Sequence, residues 1–177
     1  MTQKQILRDI VKEIKRKPSS TSALKSKLKR AIKAGIDVNQ PLYRGRTLMH
    51  YAVKANAKGT VRILGELGVD ARVCDLDYHT PLHFAILHDC YYAIKELLKL
   101  EIDINALGEF EQTPLHLAVI KGNLDIIKLL INHGADLMLV DEKNLTPLDY
   151  AIDEKNEKIT KYLQSSMKEY VHELQDY

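Results

Sequence analysis

Two cysteines in 177 residues, Cys74 and Cys90, are too few for a disulfide framework, and neither has a Cys-x-x-Cys partner. They are read as free thiols in a reducing compartment. No apolar run approaches the roughly 18 residues that a membrane-spanning helix needs. The N-terminus has no uninterrupted apolar stretch, so it does not read as a secretory signal. The eight glycines are scattered, which leaves no Gly-rich phosphate loop, and no Gly-x-Ser-x-Gly elbow occurs. The net charge of +2 selects no partner class, but it is unevenly spread. Residues 1–33 hold eleven Lys/Arg against Asp9 and Glu13, a local +9, so the remainder carries −7. A basic end joined to an acidic body needs an explanation.

Internal periodicity organises the chain. His79-Thr80-Pro81-Leu82-His83-Phe84-Ala85 recurs as Gln112-Thr113-Pro114-Leu115-His116-Leu117-Ala118. Weaker copies are Arg46-Thr47-Leu48-Met49-His50-Tyr51-Ala52 and Leu145-Thr146-Pro147-Leu148-Asp149-Tyr150-Ala151. The four threonines, at 47, 80, 113 and 146, are 33 residues apart at every step. A second series keeps the same register: Gly35-Ile36-Asp37-Val38-Asn39, then the segments opening at Gly68, Glu101 and Gly134. Two markers holding one period indicate a repeat array, not a single globular core.

The T-P-L-H-x-A motif at a 33-residue period resembles the ankyrin repeat, most closely from Gln112 to Asp136, over roughly residues 42–166. The resemblance implies an all-α fold with short β-turns, an ankyrin-repeat solenoid of stacked helix-turn-helix units. On this reading residues 1–41 are an N-terminal helical cap. Residues 42–74, 75–107, 108–140 and 141–166 are repeats 1 to 4, and 167–177 a C-terminal helical extension. In each unit residues 42, 75, 108 and 141 open a tight turn, Thr caps the first helix, and Pro sits in its first turn, where its missing N–H costs nothing. Leu82 and Leu115 face inward, and Ala85 and Ala118 permit close helix contact. The second helix carries the longer stripe: Ile94, Leu97 and Leu98 in repeat 2, and Ile126, Ile127, Leu129 and Leu130 in repeat 3. Helices of about ten residues are marginal alone, so neighbouring units must supply the stability.

The ends depart from the repeat. Ile6, Ile10 and Ile14, with Leu7 and Val11, predict a first amphipathic helix whose other side carries Lys4, Arg8, Lys12, Lys15 and Arg16. Pro18 and the run Ser19-Ser20-Thr21-Ser22 end it and cap a second helix with Leu24, Leu28, Ala31 and Ile32 as its stripe. From Asn156 the helical spacing Ile159, Tyr162, Leu163, Met167, Tyr170, Val171, Leu174 is interrupted by Ser165-Ser166. It reads as a cap helix on the last repeat, with a partner-binding or oligomerising helix as the alternative.

Four substitutions stand out inside the array. Glu101 occupies a position held elsewhere by Gly, where a left-handed residue would be strained, and Glu101→Gly is expected to raise the melting temperature. Leu48 replaces the Pro, and Gly65 replaces a helical leucine, so repeat 1 is expected to be the loosest. Asp149 replaces the histidine that, in the family, ties neighbouring segments by hydrogen bonds.

No catalytic constellation emerges. His50, His83 and His116 report the repeat, being one unit apart, and His83 and His88 do not share a helix face. The carboxylates Asp141, Glu142, Asp153 and Glu154 read as a solvated face without a surrounding pocket. The chain is expected to be no enzyme, to hold no metal and to need no cofactor. Asn105 resembles the asparagines hydroxylated in some ankyrin repeats, although Asn also suits a tight turn there.

The resemblance implies a concave recognition surface made of turn tips and first-helix ends. By position, the candidate partner-binding residues are Tyr43, Arg44, Arg46, Leu76, Asp77, His79, Leu87, His88, Glu109, Phe110, Gln112, Ile120, Lys121, Glu142 and Leu145. The apolar members are unusual for exposed sites and predict a protein contact centred on Phe110 and flanked by Leu76 and Ile120. Tyr78 and Glu111 occupy a turn position where the family prefers Gly. The expected function is non-catalytic protein recognition, as adaptor, inhibitor or effector, by a cytoplasmic monomer, or in a host cytosol if the chain is a viral or bacterial effector. The alternatives are association with nucleic acid or an anionic membrane through the basic N-terminal helices, and a targeting subunit of an enzyme.

Overall fold

The structure, a computed structural model, describes residues 2–16, 21–56 and 59–175, with side chains to residue 168. Pro18 and Ser19-Ser20 lie outside the described residues. Among those described, all regular structure is helical. The chain falls into two compact units, Met1–Asp103 and Ile104–Tyr177.

The first unit holds α1 (Gln3–Lys15), α2 (Thr21–Lys33), α3 (Leu48–Ala55), α4 (Thr60–Glu66), α5 (Pro81–Leu87) and α6 (Tyr91–Leu97). α1, α3 and α5 form one row, each packed on the next, and α2, α4 and α6 form a second row behind it. Leu7, Ile10 and Ile14 of α1 and Leu24 and Leu28 of α2 are fully buried. The basic N-terminal segment is therefore a folded helix pair docked on repeat 1, with Ile32 partly exposed at its edge. The second unit holds α7 (Pro114–Ile120), α8 (Leu124–Ile131), α9 (Pro147–Asp153) and α10 (Glu157–Gln175). α7 packs on α8 and α9, and α9 on α10. α10 runs unbroken through Ser165-Ser166, with Ile159 and Leu163 buried.

The recurring motif explains the short first helices. In α5, α7 and α9 the threonine Oγ1 accepts the N–H three residues on, and that residue's side chain accepts the threonine N–H in return. This reciprocal cap satisfies donors that a seven-residue helix would otherwise leave open. The proline at the first helical position has no N–H to satisfy.

Within each unit a histidine also ties one repeat to the next. The Thr47 N–H donates to His50 Nδ1, so Nε2 carries the proton and donates to the His79 carbonyl at 3.0 Å. His116 does the same from Thr113 to the Leu145 carbonyl, also at 3.0 Å. Asp149 keeps the cap, accepting from Thr146 N–H at 2.8 Å, but has no donor to send onward. Asparagines add a second tie: Asn39 Oδ1 accepts the Asp70 N–H at 2.8 Å, and Asn105 Oδ1 the Asp136 N–H at 2.9 Å. Asn105 thus has a structural duty between repeats 3 and its own segment.

Two expectations about repeats 1 and 2 change. Gly35, Gly68 and Gly134 are left-handed, as a helix exit requires, but Glu101 is not among the positive-φ residues. After Gly35 the Ile36 N–H reaches back to Ala31, and after Gly68 the Val69 N–H reaches Leu64. After α6 the Ile102 N–H instead bonds the nearby Leu100 carbonyl. The chain leaves α6 by another route, Glu101 is unstrained, and the expected gain from Glu101→Gly loses its basis. Nor does Gly65 mark a gap. A Cβ there would meet Leu100 Cδ2 at 2.5 Å, so Leu100 occupies the space a larger side chain would take.

Candidate interaction surface

The turn tips come in two forms, and one residue decides between them. Asp75 and Asp141 open the turns of repeats 2 and 4. Asp75 Oδ1 accepts the N–H groups of Asp77 and His79 at 3.0 and 3.1 Å. Asp141 Oδ1 likewise accepts from Lys143 and Leu145 at 2.9 and 3.1 Å. Leu42 and Gly108 stand at the same position in repeats 1 and 3 and offer no such acceptor. There the chain makes a tighter turn with two successive left-handed residues, Arg44-Gly45 and Phe110-Glu111. Such type I′ turns usually call for Asn or Gly. Positions 45, 78, 111 and 144 are left-handed in all four repeats; Gly45 and Asn144 suit that conformation, whereas Tyr78 and Glu111 are strained in it.

The tighter turn aims a carbonyl at the next tip. Arg44 O accepts the Leu76 N–H at 3.0 Å, and Phe110 O accepts the Glu142 N–H at 3.1 Å. Tips 1 and 2 are thereby joined, as are tips 3 and 4. A Cβ on Gly45 would approach Leu76 N to 2.9 Å, so the close junction requires glycine.

In the first unit the candidate residues divide sharply. Tyr43 is 76% exposed and Leu76 72%, while Tyr78, which the positional reading did not include, is 67% exposed. Arg44 is committed: its Nη2 donates to both Asp77 oxygens, at 2.6 and 2.8 Å. Arg46 lies half-buried, with Nε 3.2 Å from Asp75 Oδ2 and its guanidinium 4.7 Å above the Phe84 ring. Burial pushes the Asp75 carboxyl up, but the two backbone donors and Arg46 outweigh it and hold it below its usual range. His79 and Leu87 are half-buried, and His88 is exposed with its ring 4.4 Å from Phe84. Asp75, Asp77 and His79 could offer ligand atoms within 4.8 Å of one another. Their carboxylates already hold two arginines and two backbone N–H groups, which is the role the geometry supports.

In the second unit Phe110 is 54% exposed and Ile120 38%. Glu109, Lys121 and Glu142 are exposed, and Leu145 is half-buried. Gln112 serves the fold: its Nε2 donates to Tyr150 Oη, which donates in turn to Asp141 Oδ2 at 2.5 Å. Burial pushes Asp141 up, but Tyr150 and two backbone donors leave it below the ordinary carboxylate range. Asp141 is thus an anchor for the turn, not a solvated charge. The signal for this role in the sequence is the Asp that opens the turns at 75 and 141.

No described helix is long and apolar enough to cross a membrane. A search of curated proteins found no match to the chain. Two family models match it: "Ankyrin repeats (3 copies)" over residues 20–108 and "Ankyrin repeats (many copies)" over residues 97–151. The first begins at the edge of α2, so the match takes in part of the basic cap, and it spans half of the chain by itself. Ankyrin repeats generally mediate protein–protein interactions and are typically non-catalytic. With its 33-residue period, its threonine–histidine caps and its onward histidine bonds, the chain belongs to the ankyrin-repeat family.

Proposed function

We propose that the chain is a non-catalytic protein-recognition module, an adaptor, inhibitor or effector, that binds a protein partner through its turn tips and the adjoining helix ends. The observation that carries this reading is Phe110. It is a large apolar side chain, more than half exposed, in a left-handed conformation that disfavours it by about 1–2 kcal/mol. Neither its packing nor its backbone favours that residue, so recognition is the economical explanation. Ile120 and Leu145 add apolar surface within the same unit, and Tyr43, Leu76 and Tyr78 form the corresponding exposed set in the first unit. Grouped apolar exposure of this kind marks protein contacts.

The test is capture of partners from a eukaryotic cytosolic lysate, with wild type against Phe110→Ala, Leu76→Ala and the double variant. The expected result is loss of at least tenfold in affinity for the captured partner in the double variant, with helical circular dichroism unchanged. Undiminished affinity would overturn the tip surface. Single variants separate the contributions of the two units. Free thiols at exposed Cys74 and buried Cys90 support a reducing compartment such as the cytoplasm.

A second reading, anionic association through the basic N-terminal helices, is favoured by the exposed cations of α1 and α2. Part of that charge is internal: Lys12 pairs with Asp9, Lys27 with Glu13 and Lys25 with Glu66. Nucleic acid or an anionic membrane bound this way would be released steeply by salt. A targeting subunit would instead co-purify with a catalytic chain.

A further inference from the structure

The outer face of α1 meets the first turn tip and α3 in a groove of about 420 Å³. Four cations edge it: Lys4, Arg8, Lys12 and Lys15. Lys12 donates to Asp9 at 3.1 Å. Lys4, Arg8 and Lys15 have no acidic partner among the described residues, although other lysines of the cap do. The floor and far wall are apolar and aromatic, formed by Val11, Leu42, Tyr43 and Tyr51. Lys15 Nζ stands 5.3 Å from the Tyr51 ring centroid, so one cation is already turned over the floor.

The geometry points to this groove as a docking site for an acidic peptide segment of a protein partner, one carrying an apolar or aromatic anchor between its carboxylates. The spacing sets the length. Lys4 to Lys15 is eleven residues of helix, about 16 Å, which an extended segment of about five residues matches. Cations along one edge and exposed tyrosine on the other suit alternate side chains of such a segment. A bilayer fits less well. Of the aliphatic residues of α1, Leu7, Ile10, Val11 and Ile14 are buried against the fold and Ile6 is half-buried, so this helix offers little apolar surface to lipid. The site lies within the first unit and does not depend on the Phe110 surface; it would stand if that surface failed.

The probe is a dye-labelled peptide of alternating Glu/Asp with one Leu and one Phe, titrated into the full chain and followed by fluorescence anisotropy. Two comparison peptides carry Gln and Asn for the acids, or Ser for the apolar pair. An unstructured single-stranded oligonucleotide and vesicles containing phosphatidylserine are run alongside. Saturable binding of the acidic peptide is expected, weakened tenfold or more by either peptide change. The double variant Arg8→Glu with Lys15→Glu should lose at least tenfold, and Tyr43→Ala severalfold. Tyr43 is largely exposed, so its removal leaves the fold intact. Lys29→Glu with Lys33→Glu, on α2 away from the groove, should leave binding within about twofold. The proposal is overturned if the acidic peptide does not bind, if the α2 variant loses as much as the groove variant, or if the oligonucleotide or vesicles bind more tightly through the same residues.

Discussion

Leu100 fills the place where Gly65 has no side chain: its Cδ2 would lie 2.5 Å from a Cβ built on that glycine. Gly65 and the Leu100 side chain against it are therefore one packing solution. Replacing helical Gly by Ala ordinarily stabilises by about 1 kcal/mol. Gly65→Ala should gain less than that, or lose, because Leu100 must move. With Leu100→Ala already in place the full gain should return. Urea titration of the four members of this cycle should show coupling of at least about 0.5 kcal/mol, and additive effects would contradict the packing.

Glu101→Gly should lower stability by a few tenths to about 1 kcal/mol, since the backbone there is not left-handed and glycine only adds freedom to the unfolded chain. Thermal unfolding measures it, and a rise in midpoint would restore the left-handed exit.

Phe110→Gly should do the opposite. Its φ of 58° and ψ of 27° suit glycine, so relief of strain should raise stability by about 1 kcal/mol while binding falls. Gly45→Ala should be destabilising by more than about 1 kcal/mol, because the residue is left-handed and its Cβ would crowd the backbone of Leu76. Chemical denaturation of both variants tests the turn geometry.

Burial pushes His50 and His116 below the ordinary histidine value. The unfolded chain then takes up these protons before the folded one does. Their contribution is complete above about pH 6.5 and is lost as pH falls from there toward the folded values. Asp75, Asp141 and Asp149 are also depressed, and their contribution is lost only below about pH 4. The urea midpoint should fall between pH 7 and pH 5, and His116→Asn should flatten that slope while lowering stability at pH 7. An unchanged slope would remove His116 from the account.

Much of this fold is legible because a local rule repeats. The threonines at a constant interval locate α3, α5, α7 and α9, since capping acts over three residues and needs no distant partner. Burial of Ile126, Ile127 and Leu130 follows from helical spacing. The exit at Glu101 was not legible: there the Ile102 N–H bonds the Leu100 carbonyl, and the Leu100 side chain lies against a glycine 35 positions earlier. The commitments of Arg44 and Arg46 were hidden in the same way. Their aspartate partners lie in the following repeat, and a residue's position on a tip does not say what neutralises it. Tyr78 stands at a turn position where the family prefers Gly, and the turn that strains it also leaves it exposed.

The choice between Asp and a residue without an acceptor at 42, 75, 108 and 141 has a reach beyond each loop. Changing that single side chain would free the peptides it holds and re-aim whatever residue sits at the crest, and at 75 or 141 it would also release Arg46 or, on the helix below, Tyr150. Variation at these tips is thereby coupled to the body through one side chain each. New specificities can be tried most freely at the crest residues themselves, whose side chains stand clear of those two networks.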